Sequence, residues 1–166
     1  MNAALVASIL LAASFTGVAI WRKRALPESI SSLVYVFRWK WLWTVWLSVV
    51  GLLTCIPTID VLDTKDMGFL GFLTLACLLF CAAMPIFMRD WKRWHDILGI
   101  SACVLSQACV SIVCAVWLFA WALFVFLMGS VYVQPQGRLA KAVKGNGVFM
   151  AEATCYVSMV GSLLFG

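Results

Sequence analysis

Histidine occurs once in this chain, and charge is scarce, with seven acidic and twelve basic residues among 166. A single histidine excludes a multi-histidine metal centre. Charged residues make up 11% and apolar ones 64%, where an ordinary soluble domain has about 25% and about 45–50%. No polar stretch is long enough to fold as a water-soluble domain of its own. The chain also lacks a Gly-rich phosphate loop, a Gly-x-Ser-x-Gly elbow and a His-Glu-x-x-His pair, which removes the commonest nucleotide, acyl-transfer and metalloprotease chemistries. No metal or organic cofactor is implied. The net charge of +5 does not form the continuous basic stripe that nucleic acid requires. The seven cysteines are odd in number and all lie inside apolar runs, which does not suit a disulfide framework. They read as small packing residues.

Long apolar runs fill the remaining sequence. A hydrocarbon core about 30 Å thick takes roughly 20 apolar residues per helical crossing. The runs predict an all-α polytopic transmembrane bundle, one integral membrane domain over 1–166. Its six spans fall at about 3–21, 41–59, 67–88, 97–115, 117–133 and 148–166. The first run is followed rather than preceded by Arg22-Lys23-Arg24, the reverse of a cleavable leader. It reads as an uncleaved span with its N-terminus outside. Leu26 to Phe37 carries Ile30, Leu33, Val34 and Phe37 at helical spacing, opposite Glu28, Ser29, Ser32 and Tyr35. That pattern predicts a short helix lying in the membrane interface after the first span, or else a cytoplasmic extension of the second. Trp39, Trp41, Trp43 and Trp46 crowd the start of the second span as an aromatic belt. Pro85 near the end of the third frees a backbone carbonyl one turn earlier, so a neighbour must supply a partner.

Ile97 to Val133 runs 37 residues without a charge. As one helix it would be about 55 Å long, nearly twice the hydrocarbon thickness. Charge placement decides the threading. With two spans and a turn near Ala115–Trp117, 11 of the 12 basic residues fall on the cytoplasmic side; with one span the split is 8 to 4. The positive-inside rule favours two. Arg22, Lys23, Arg24, Arg38, Lys40, Arg89, Lys92, Arg93, Arg138, Lys141 and Lys144 then share the cytoplasmic side, within reach of anionic head groups. Asp60, Asp63 and Asp66 form an outer loop, more simply a solvated acidic loop than a cation site. Both termini lie outside, and a bacterial inner membrane is the expected location.

Few polar residues enter or border the spans. Tyr35, His95, Asp96 and Glu152 all fall near the cytoplasmic side, a candidate polar cluster able to hold a head group or relay a proton. Ser106 and Gln107 lie about 15 Å into the fourth span, near the midplane. In a helix rich in Gly, Cys and Ser they read as packing glue more readily than as a site.

Several pieces together resemble a group of small, uncharacterised six-span proteins predicted from bacterial and phage genomes. They are Pro27-x-Ser29-Ile30-Ser31 with Tyr35, Phe69-Leu70-x-Phe72-Leu73, and Ala83-x-Pro85-x-Phe87. His95 opening a span, Ser106-Gln107 and Ala151-Glu152-x-x-Cys155 complete the set. The resemblance implies six spans and points to His95, Ser106, Gln107 and Glu152, but it brings no known activity.

The expected function is that of a small multi-pass membrane protein without catalysis of its own. It acts in transport or permeation, or as the partner subunit of another membrane protein or of a second copy, with the lipid bilayer as its medium. The alternatives are an intramembrane lipid hydrolase or transferase using the His/carboxylate cluster, and a membrane-disrupting holin-like effector.

Overall fold

A computed structural model describes residues 3–37, 39–87, 91–133, 136–137, 140 and 144–166. Arg38, Met88, Arg89, Asp90, Arg138 and Lys141, which the sequence reading places at span ends and in cytoplasmic loops, lie outside them. Among the described residues every regular element is helical: α1 (Ala3–Lys23), α2 (Lys40–Asp63), α3 (Gly68–Phe87), α4 (Trp91–Cys114), α5 (Ala120–Val133) and α6 (Gly147–Phe165). Short 3-10 turns occupy Ser31–Tyr35 and Ala115–Phe119. Five stretches are long and apolar enough to cross a membrane: Ala3–Lys23, Lys40–Asp63, Gly68–Pro85, Lys92–Val131 and Gly147–Phe165. Helix is what such sequences must form in lipid, because it satisfies each backbone group within the segment.

Consecutive helices α2, α3 and α4 pack along one another, α1 lies against α2, and α6 packs on α4 and α5. The α2–α3 connection is tight. Asp66 takes a left-handed conformation (φ 55°), and the Met67 N–H reaches back to the Leu62 carbonyl at 3.0 Å, the 6→1 bond of a Schellman ending. Gly71 then lets α3 approach α2, because a Cβ there would sit 2.6 Å from Ile59 Cγ1.

The Lys92–Val131 stretch is not one straight rod. Cys114 leaves the helix with extended dihedrals (φ −157°, ψ 92°), and the 3-10 turn follows. Gln107 and Trp121 stand seven positions either side of that break, yet the Trp121 indole N–H donates to Gln107 Oε1 at 2.9 Å. In a continuous helix these residues would be about 21 Å apart along the axis. The chain therefore doubles back at Cys114, without glycine or proline. Two neighbours hold the break. Lys65 Nζ donates to the Ile112 carbonyl at 2.6 Å, one of the orphan acceptors at the end of α4. The Trp117 ring lies on Gly161 of α6, so close that a Cβ would collide with it.

Leu26 to Phe37 differs from the expected amphipathic helix. Arg24 ends α1 in a left-handed conformation (φ 54°), and only five residues, Ser31–Tyr35, form a 3-10 turn. The apolar face is present, but it meets protein. Leu33 and Val34 are buried in a core with Ala19, Trp43, Trp46, Val50 and Ala82. The tryptophan belt divides in the same way. Trp39 and Trp41 are exposed, whereas Trp43 and Trp46 turn inward as core residues.

Candidate functional site

Two of the four residues in the expected cytoplasm-side cluster turn into the bundle and two do not. Tyr35 is 70% exposed and Asp96 is also exposed. His95 is buried, and Glu152 is half-buried on the first turns of α6. The two inward residues are linked through Ile30 and Trp43. Glu152 Oε2 accepts the Ile30 N–H at 2.5 Å, and the Ile30 carbonyl accepts the Trp43 indole N–H at 3.2 Å. The Trp43 ring lies 5.8 Å from the imidazole of His95, tilted by 49°. The connector is also tied to α6 by the Phe149 N–H, which donates to the Glu28 carbonyl at 3.1 Å. Ser29 and Ser32 brace it internally: the Ser32 N–H donates to Ser29 Oγ at 3.0 Å, and Ser32 Oγ donates to the Ser29 carbonyl at 2.7 Å. A carboxylate on the opening N–H of a helical turn is a favourable placement for negative charge.

His95 has an equally specific task. Its Nδ1 lies 3.1 Å from the carbonyl oxygen of Cys81. A carbonyl only accepts, so the proton sits on Nδ1. Cys81 is four residues before Pro85, which has no N–H to return to that carbonyl. The imidazole fills the gap that proline leaves. Thr44 Oγ1 adds a bond to the next carbonyl, Ala82, at 2.7 Å. Cys81 Sγ sits 3.2 Å from Nδ1 and 3.8 Å from Nε2. Both Cys81 and His95 are about 5% exposed, so this thiol–imidazole pair faces neither water nor lipid.

The midplane pair behaves as a joint. Gln107 Oε1 accepts from Trp121 Nε1 (2.9 Å) and Ser158 Oγ (3.0 Å), while Nε2 donates to Ser106 Oγ (3.1 Å) and the Cys155 carbonyl (3.4 Å). One amide thereby ties α4 to α5 and α6 with all its capacity engaged. A second hydroxyl cluster joins Ser8 of α1 to Thr54 of α2 and Tyr156 of α6, each at 2.7 Å. Beside it the Trp46 indole N–H donates to the Leu11 carbonyl at 3.0 Å.

Sequence reasoning named Trp43 only as a belt residue and Cys81 only among the packing cysteines, and singled out none of Ser8, Thr54, Tyr156, Trp121 and Ser158. Only Cys81 carried a usable signal, its position four residues before Pro85. Asp60, Asp63 and Asp66 are exposed, and among the described residues no three His, Cys, Asp or Glu side chains converge as a metal set. Among the same residues no buried side-chain nitrogen or oxygen lacks a hydrogen-bond partner. No protein-family model, curated protein or solved structure matches this chain. Function therefore has to be argued from these contacts.

Proposed function

We propose that the chain is a small six-span integral membrane protein, of the kind it resembles, with both termini outside and no catalysis of its own. Its role is that of a membrane-embedded partner subunit, held by another membrane protein or by a second copy. The observation that carries this reading is where its polar groups go. Glu152, His95, Thr44, Trp43, Trp46 and Gln107 all bond to groups within the bundle. A permeation path would instead turn such groups to a water-filled interior. The reversal at Cys114 supports six crossings, because it returns α5 across the thickness already crossed by α4. The 3-10 turn and α5 together span about 31 Å at their usual rises, close to one hydrocarbon thickness. A lipid hydrolase or transferase built on His95 and Glu152 competes less well, since both side chains already hold backbone groups.

The outward side of α5 is the place to test the partner. Leu123, Val125 and Phe126 are 62–68% exposed in this chain alone. A photo-crosslinking residue replacing Phe126 should give one discrete protein adduct in native membranes, with a second protein or a second copy. Adducts to lipid alone would overturn the partner role. Purified protein in liposomes should neither leak a trapped dye nor turn over the lipids. A leak would favour the transport or holin-like readings, and turnover would favour the enzyme.

A further inference from the structure

A second polar feature lies outside these networks, where α1 ends and α2 begins. Arg22, Phe37, Trp39 and Leu42 line a cavity of about 470 Å³, within the range of about 300–1,000 Å³ usual for small-ligand sites. The one cation among its described lining residues is held in place. The Arg22 guanidinium carbon lies 5.6 Å from the centroid of the Phe37 ring, a cation–π distance. Phe37 is fixed in turn by Phe15 at 4.3 Å, and Phe15 stacks on the buried Trp46 at 4.4 Å. This run of rings connects an exposed guanidinium to the core. Trp39 is 58% exposed and stacks on Trp41 at 6.0 Å, as side chains at the lipid–water boundary do.

We propose that this cavity binds the phosphate of an anionic glycerophospholipid, with the guanidinium on the phosphate and the glycerol and upper acyl chain against Phe37, Trp39 and Leu42. The chemistry follows from the lining. A guanidinium fork matches two phosphate oxygens. A free phosphate is recognised by several donors at once, whereas among the described residues here one cation is set with three apolar side chains. That mixture fits an amphiphile. Lys23 and Lys40 flank the site in sequence and add attraction for a leaflet of negative charge. The site is independent of the partner role, since it depends on neither α5 nor a second protein.

The test uses the full chain in nanodiscs of phosphatidylcholine with a minor share of phosphatidylglycerol, either lipid carrying bromine on its acyl chains. Brominated phosphatidylglycerol should quench tryptophan fluorescence more than brominated phosphatidylcholine at equal mole fraction. Trp39→Phe should remove most of that difference. Arg22→Gln should lower the preference about fivefold, while Lys92→Gln, the same loss of charge at an exposed position on α4, should leave it near the wild-type value. Equal losses in Arg22→Gln and Lys92→Gln would reduce the effect to diffuse surface charge and overturn the site. Inorganic phosphate, compared with chloride at equal ionic strength, should not displace the lipid. Displacement by phosphate would make the ligand a soluble anion and overturn the lipid assignment. Arg22→Lys keeps the charge without the fork, and should also lose preference even if Arg22→Gln proves too unstable to purify. Full preference in Arg22→Lys would overturn the phosphate-fork geometry.

Discussion

His95 supplies the hydrogen that Pro85 cannot. The two belong to different helices, and their relationship runs through the Cys81 carbonyl, 3.1 Å from His95 Nδ1 and four residues before the proline. In water such a carbonyl would be solvated; within a bilayer it needs a protein partner. The only imidazole of the chain is thus explained by a proline two residues from the end of the preceding helix.

Replacing His95 by Leu should leave that carbonyl unsatisfied and lower stability by about 1–3 kcal/mol. On a Pro85→Ala background the regained N–H can serve Cys81, and the same replacement should cost distinctly less. Thermal unfolding in detergent would measure the cycle, with a coupling of about 0.5–3 kcal/mol expected. Additive effects would show that His95 does something other than repair α3.

Glu152→Gln keeps an oxygen facing the Ile30 N–H and should be mild. Glu152→Ala removes the acceptor and should cost about 1–3 kcal/mol. Trp43→Phe removes the bond on the other side of the same residue, at the Ile30 carbonyl. The two losses should combine non-additively, because both act on the position of Ile30. If Glu152→Ala is no more stable or unstable than Glu152→Gln, the carboxylate is not holding the connector.

Gln107→Leu should free Trp121 and Ser158 from their shared acceptor at one stroke. Amide hydrogen exchange should then quicken across residues 115–133 more than in α2 or α3, with Trp121→Phe giving the same pattern to a smaller degree. Uniform protection in the variant would mean that packing on α6, rather than the amide, holds α5 in place.

Much of the fold was legible because apolar runs and basic clusters are coarse signals that survive any detail of packing. The second span, expected at 41–59, is Lys40–Asp63, and the break expected near Ala115–Trp117 is the 3-10 turn Ala115–Phe119. The Pro85 vacancy was legible too, since it follows from covalent structure. Its partner was not, because which residue of α4 faces Cys81 depends on the rotation of two packed helices. The same ignorance of rotation made Trp43 and Trp46 look like belt residues and left open that Tyr35 would be exposed. Ser8 and Thr54 gave no warning, being small side chains inside apolar runs, where they have many innocuous uses.

Reporter fusions test the threading. Those after Arg24, Arg93 and Lys144 should read cytoplasmic, and those at Asp63 and Gly166 external. An external reading at Lys144 would make Lys92–Val131 a single crossing and would contradict the reversal at Cys114.

The bonds from Ser8 to Tyr156 and from Ile30 to Glu152 join positions 148 and 122 residues apart. Chains are made from the N-terminus, and early segments ordinarily settle before later ones exist. Here α1 and its connector cannot complete their hydrogen bonds until α6 has been synthesised. The opening quarter of the protein must wait in the membrane with Ser8 and the Ile30 amide lacking these partners. Assembly is therefore a late, closing event, and quality control has a simple sign to read: a nascent bundle whose first helix is still loose.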